Sequence, residues 1–257
     1  MSGPRSATRF ALISLPRCGS TSLALLLNNH PELACLIEPF HPGRYDGVFH
    51  RQAMQASPQD SLRRIWTKWN GIKHVFEPGG WPFFGRPELN ADIASQPGQR
   101  TVVIVRRNLL RRLVSDLICR QTRYWIGTRE EFCARLESTQ LLPLDPVKLR
   151  RQIQRDRDAM TRLTDLMNER HVPTLQICYE DLFCSGDDSE RQMQHVNAVL
   201  AFLKVAPLSL PVFTSQWRER FDGDRHRWAS SDVYRRIPGI DRIEAEVGCD
   251  ETGWMFR

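Results

Sequence analysis

Several features that mark secreted, membrane-bound or metal-holding chains are missing from these 257 residues. No apolar run approaches the roughly 20 residues a membrane-spanning helix needs, and the opening MSGPRSATRF has no apolar signal-peptide core. The expectation is a soluble, cytoplasmic protein with no membrane span. The seven cysteines are an odd number and include no Cys-x-x-Cys pair. That argues against a disulfide framework or a zinc site, so they read as reduced thiols and no metal is expected. The net charge of +6, from 36 Lys and Arg against 30 Asp and Glu, is spread along the chain with no nucleic-acid-binding motif. It suits an acidic small ligand and argues against a nucleic-acid partner. There is no internal repeat, low-complexity tract or linker.

What is present is a chain that is 41% hydrophobic, enough to bury the core of one domain over 1–257. Phe10 to Leu15 reads as a buried strand, and a leucine-rich helix begins near Ser20. Leu33 to Ile37 and Ile72 to Phe76 read as short strands, with a helix from Ser61 to Asn70 between them. The run TVVIV, Thr101 to Val105, is the strongest strand and belongs inside the sheet. Apolar positions from Leu109 to Trp125 recur at helical spacing. Thr128 to Glu131 has the form of a capping box, and Asp145-Pro146 opens a long helix to about His171. Thr174 to Tyr179 is a strand and Ser189 to Val205 a helix; from about residue 206 the pattern reads as irregular. Strand and helix in turn predict an α/β fold with a parallel central sheet flanked by helices.

The stretch from Phe10 runs from strand into Pro16-Arg17-Cys18-Gly19-Ser20-Thr21-Ser22 and then helix. A glycine bend before a helix start leaves several backbone N–H groups without partners, beside three hydroxyls, which favours an anion, most often phosphate. The nucleoside triphosphatase form GxxxxGK[ST] is absent, since Ser14 stands for its first glycine and Ser20 for its lysine. A phosphatase loop would need an arginine six residues after Cys18, where Ala24 stands. The cysteine therefore reads as incidental to the chemistry.

A second anion site is legible in Val102 to Leu117. Arg106 and Arg107 sit where the strong strand ends, Asn108 is placed as a helix N-cap, and Ser115 follows Arg107 by eight residues. Arg111 and Arg112 precede Ser115 by four and three, on its helix face. The carboxyl end of a strand in an open α/β sheet is where ligands bind.

Together these motifs resemble the sulfotransferases that use 3'-phosphoadenosine 5'-phosphosulfate (PAPS). In that family a loop of the form [RK]-x-G-[ST]-[ST] holds the 5'-phosphosulfate, and Arg17-Cys18-Gly19-Ser20-Thr21 matches it. An arginine at a later strand end with a serine eight residues on holds the 3'-phosphate, matched by Arg107 and Ser115. A Tyr-Glu-Asp after a strand, here Tyr179-Glu180-Asp181, puts the tyrosine near the adenine. The resemblance implies a P-loop-like nucleotide-binding core with Arg17, Cys18, Gly19, Ser20, Thr21, Ser22, Arg107, Ser115 and Tyr179 around PAPS. It spans roughly Phe10 to Phe183.

NNHPELACLIEPFHP is similar to the carbohydrate and nodulation-type branch, where a helix ends in Asn/Gln-x-His-Pro and a glutamate follows. That puts Glu38 forward as base. The Lys-x-His pair of the small-molecule branch has only an approximate echo in Gly71-Ile72-Lys73-His74, leaving Lys73 as a cation beside the sulfuryl group. His41 and His74 are alternative bases, and His30 a packing residue. The tail from Gly248 to Arg257 is similar to bacterial nodulation-type members but carries no assigned chemistry. The resemblance implies a small-molecule or glycan acceptor. Trp66, Trp69, Trp81 and Trp125 offer aromatic walls, and Phe76 to Arg86 a loop that could cover the substrate. A carbohydrate hydroxyl is favoured over tyrosine or a small alcohol. A nucleotide-binding homologue without activity is the alternative class.

Overall fold

β-branched, continuous apolar runs pair best where both faces are covered, and in this chain they form one sheet. In the computed structural model, which describes residues 8–125, 127–183, 188–217 and 231–256, five strands run parallel. They are β1 (Arg9–Ser14), β2 (Cys35–Ile37), β3 (Gly71–Val75), β4 (Gln99–Val105) and β5 (Thr174–Cys178), in the order β2-β3-β1-β4-β5. The run TVVIV lies inside the sheet, between β1 and β5, as its composition predicts.

Helices cover the sheet: α1 (Ser20–Leu27), α2 (Val48–Gln55), α3 (Pro58–Ile65), α4 (Glu88–Ala94), α5 (Leu109–Thr122), α6 (Arg129–Ser138), α7 (Pro146–Glu169), α8 (Tyr179–Phe183) and α9 (Ser189–Phe202). Their starts follow local chemistry. The Asn108 side chain accepts from the Arg111 N–H at 2.8 Å, Thr128 and Glu131 close a capping box, and Asp145 caps α7 ahead of Pro146.

Some boundaries differ from the sequence expectation. A turn in which the Leu33 N–H reaches the His30 carbonyl delays β2 to Cys35. Pro58 takes the first position of α3, which stops at Ile65 and leaves Trp66 to Asn70 in turns. Tyr179 ends no strand but opens α8. Helices α2 and α4 were not anticipated.

The segment beyond residue 206, expected to be irregular, is partly helical: α10 (Leu210–Val212), α11 (Ser231–Arg235) and α12 (Ile240–Val247). Ile237, Ile240, Ile243 and Val247 form an apolar stripe at helical spacing that packs with Leu110, Leu113, Val114 and Ile118 of α5 and with Leu149 and Ile153 of α7. The tail then docks on the start of α5. The Leu110 N–H donates to the Thr252 carbonyl at 2.8 Å, and Asn108 Nδ2 to the Trp254 carbonyl at 2.6 Å. Its last residue, Arg257, lies outside the described residues.

Candidate functional site

The strand order reverses at β1, whose neighbours β3 and β4 are reached by crossovers in opposite directions, and a crevice opens at such a point beyond the carboxyl ends of the strands. A cavity of about 670 Å³ occupies that place, within the size range of small-molecule sites. Each strand delivers chemistry to it: β1 the loop from Pro16 to Ser22, β2 Glu38 and His41, β3 Lys73, His74 and Glu77, β4 Arg106, and β5 Tyr179.

The loop after β1 is held in an uncommon shape. Arg17 and Gly19 both have left-handed backbone, φ 65° and 78°. A Cβ on Gly19 would lie 2.7 Å from a Phe183 ring carbon and 2.8 Å from one of Tyr179, so only glycine lets α8 pack so close. No side chain caps α1 at Gly19, leaving its first-turn N–H groups at the cavity where Ser20, Thr21 and Ser22 stand. Ser14 Oγ donates to Ser20 Oγ at 2.8 Å and ties the helix start to the strand end.

The two anion sites read from the sequence converge through Arg17. Its Nε donates to Ser115 Oγ at 3.1 Å, across 98 residues of chain, and its Nη1 to the Trp125 carbonyl at 3.4 Å. Arg107 does not join them. It is exposed and forms two hydrogen bonds to the Asp181 carboxylate, at 2.7 and 3.1 Å. Glu180 receives the backbone N–H groups of Arg107 and Asn108 at 3.0 Å each. The Tyr-Glu-Asp motif thus divides: Tyr179 faces the cavity, while the two carboxylates clamp the start of α5.

Arg111 and Arg112 also have other work. Arg111 lies over the Tyr234 ring. Arg112 is buried, paired with Asp156, and donates to the Pro16 carbonyl at 3.2 Å, fixing the loop from behind. Cys18 is buried and its thiol is pushed up to about 11, chiefly by that burial. It is a poor nucleophile.

Glu38 stands where β2 ends, with left-handed backbone at φ 51°. The register Ile37 to Lys73 brings β2 beside β3, and Lys73 Nζ donates to Glu38 Oε1. Arg44 Nε lies 3.3 Å from the other oxygen. Burial would raise the Glu38 carboxyl, but Lys73 and then Arg44 outweigh it and hold the carboxyl below its usual range. Burial pulls Lys73 down from its usual ammonium value while Glu38 opposes this. His41 is also lowered by burial, against the opposing charge of Glu38. His74 is pushed down to about 4 by burial, its Nε2 donating to Asn90 Oδ1 at 2.8 Å. His30 bridges to the Ala206 carbonyl, a packing role.

Trp81 and Trp125 line the cavity, whereas Trp66 and Trp69 pack on the main core. Sequence reasoning missed Arg44 and the group formed by Arg120 with Glu77 and Asp116, at 2.7 and 2.8 Å. Asp116 and Arg120 stand at i,i+4 on α5, but that spacing does not say which face meets the cavity, and Arg44 and Arg120 meet Glu38 and Glu77 only through the placement of the segments after β2 and β3. Among the described residues no group of His, Cys, Asp or Glu has the geometry of a metal site.

A parallel α/β sheet with a cavity beyond the carboxyl ends of its strands, lined by the loop after the first, is the class of protein this geometry defines. No family model matches the chain. It is similar to nodulation protein H of Rhizobium meliloti strain 1021, 28% identical over 132 residues, which are 49% of this chain and 53% of that protein. A second nodulation protein H from Rhizobium meliloti is 27% identical over the same length. The chain spans about half the length of the curated relatives it matches. The sulfotransferase domain of the Synechococcus PCC 7002 olefin synthase superposes with a TM-score of 0.39 at 14% identity, covering 88% of this chain and 82% of the other. The nodulation-type resemblance read from the motifs thus has a counterpart in sequence similarity to a nodulation protein.

Proposed function

We propose that the chain is a sulfotransferase that moves a sulfuryl group from PAPS to an acceptor hydroxyl, with a carbohydrate as the acceptor class. The observation that carries this reading is the Arg17 to Ser115 hydrogen bond. It joins the two motifs that the resemblance gives to the 5'- and 3'-phosphates, beside the cavity that also holds Glu38 and Lys73. Trp81 and Trp125 on the cavity wall support a saccharide ring, which stacks on aromatic faces. A tyrosine or small alcohol acceptor is the alternative within the same chemistry. The open cavity argues against an inactive homologue, whose acceptor cleft would be filled by side chains.

In this scheme the acceptor oxygen bonds to sulfur as the bond from sulfur to the bridging oxygen breaks. The negative charge ends on the nucleotide phosphate and the hydroxyl proton passes to Glu38. Arg17, the first-turn N–H groups of α1 and Lys73 stabilise the charge that develops. The paired Glu38 is a weak base while Lys73 and Arg44 hold it. As Lys73 is drawn toward the departing phosphate, the carboxylate recovers basicity where the acceptor proton is released. Arg107 would have to leave Asp181 before it could reach a phosphate.

The test is calorimetric titration with adenosine 3',5'-bisphosphate and with adenosine 5'-monophosphate. Each hydrogen bond to a charged group contributes about 1.5 to 3 kcal/mol, so the analogue lacking the 3'-phosphate should bind about ten-fold more weakly or worse. Equal affinities would remove the second phosphate site and the sulfotransferase reading with it.

A further inference from the structure

Besides Arg17, four cations line the cavity: Arg44, Lys73, Arg106 and Arg120. Lys73 and Arg44 share Glu38, and Arg120 lies between Glu77 and Asp116. Arg106 pairs with no carboxylate among the described residues. Its Nη1 donates to the Arg17 carbonyl at 3.1 Å, and its guanidinium lies over the Tyr179 ring, 4.4 Å from the centroid. Its Nε is sealed from solvent and has no hydrogen-bond partner among the described residues.

Such a placement is unfavourable for a protein that binds nothing there. A half-buried cation with no carboxylate at ion-pair distance loses part of its hydration, which stacking on one phenol ring returns only in part, and the unmade, sealed Nε–H adds to the loss. An anion in the cavity would supply the missing charge. Arg107 is differently employed, because successive residues at a strand end point to opposite sides: it is exposed and bound to Asp181. The geometry points to Arg106, and not Arg107, as the arginine that binds a phosphate of the nucleotide in this cavity. This rests on the nucleotide reading above, but the anion site can be tested apart from it.

The experiment compares wild type with Arg106→Met, which keeps a long side chain over Tyr179, Arg106→Lys, which keeps the charge, and Arg107→Ala. Adenosine 3',5'-bisphosphate and inorganic pyrophosphate are titrated calorimetrically, and thermal unfolding is followed with and without each ligand. Arg106→Met should weaken bisphosphate binding about ten-fold to a hundred-fold, the scale of lost charged hydrogen bonds. Arg106→Lys should fall between, and Arg107→Ala should change affinity by less than about three-fold, as expected for an exposed pair. The ligand-free unfolding midpoint of Arg106→Met should equal or exceed that of wild type, since an uncompensated charge has been removed. Unchanged binding by Arg106→Met, or a loss confined to Arg107→Ala, overturns the assignment. So does a lowered ligand-free midpoint with normal affinity, which marks a structural role. If wild type binds pyrophosphate but no bisphosphate, the sulfotransferase reading fails and the pyrophosphate titration of Arg106→Met still decides the anion site. If it binds neither, both fail.

Discussion

Glu38→Gln separates stability from chemistry at the centre of the cavity. The substitution keeps shape and one oxygen acceptor for Lys73 Nζ while removing the charge that Lys73 and Arg44 share. Lys73 is 2% exposed, so its ammonium has little water to turn to. Losing the charged component of that hydrogen bond should cost about 1.5 to 3 kcal/mol, short of the roughly 3 to 5 kcal/mol for stripping a buried ion of any partner, because the amide oxygen remains. For a chain of this length that is roughly 3 to 12 °C in unfolding midpoint. The difference should also depend on pH. The Glu38 carboxyl is held below its usual range, so the pair contributes stability that is present above the unfolded carboxylate value of about 4.3 and is lost as pH falls through the lower folded value. Wild type and variant should converge in acid. Transfer should fall by about 10² to 10⁴ if Glu38 is the base, with nucleotide affinity equal to or above that of wild type, since the repelling charge is gone. The assay is single-turnover transfer of label from phosphosulfate to an acceptor that wild type uses, drawn from neutral oligosaccharides, phenols and alcohols. His41→Ala and His74→Ala are run beside it. Near-normal transfer by Glu38→Gln, with collapse in either histidine variant, would refute the reasoning and move the base to that histidine.

Two further outcomes follow from the loop after β1. Gly19→Ala should lower stability by about 1 to 3 kcal/mol, the scale of a left-handed non-glycine residue, and weaken bisphosphate binding, because its methyl group meets the Phe183 and Tyr179 rings; thermal unfolding and calorimetry that match wild type would refute the close packing of α8. Cys18 should resist alkylation in the folded protein at pH 8 and react on unfolding, since burial raises its thiol to about 11. Peptide mapping after iodoacetamide treatment shows this, and rapid labelling of the native chain would contradict it.

Much of this site was legible because its elements are local. The strand, the Arg17 to Ser22 loop and α1 are consecutive, and glycine, hydroxyls and apolar periodicity mark each in turn. β4 and the Asn108 cap declared themselves the same way. What could not be read was strand order. Glu38 and Lys73 lie 35 residues apart, and only the pairing of β2 with β3 makes them neighbours. The spacing of eight from Arg107 to Ser115 was equally visible, yet spacing along one strand and helix does not report a competing carboxylate from α8, where Asp181 takes Arg107. The stripe from Ile237 to Val247 carried helical periodicity that the short segment lengths obscured.

If the chain is the sulfotransferase proposed above, with Glu38 as its base, the paired charges also bear on how donor and acceptor steps are ordered. A free carboxylate beside an anion loop repels a polyanionic donor, and the repulsion is strongest where water is scarce. Pairing Glu38 with Lys73 and Arg44 screens that repulsion, but it also suppresses basicity. The same lysine connects the two demands. Charge that draws Lys73 toward the donor unmasks Glu38, and by linkage whatever raises the proton affinity of Glu38 in the donor complex must favour the donor when Glu38 is protonated. Arg44, on the other oxygen, then keeps the carboxylate in place as Lys73 leaves. The base would thus be switched on by the molecule whose sulfuryl group it helps to transfer, and in the absence of that molecule the cavity holds a carboxylate whose proton affinity is suppressed.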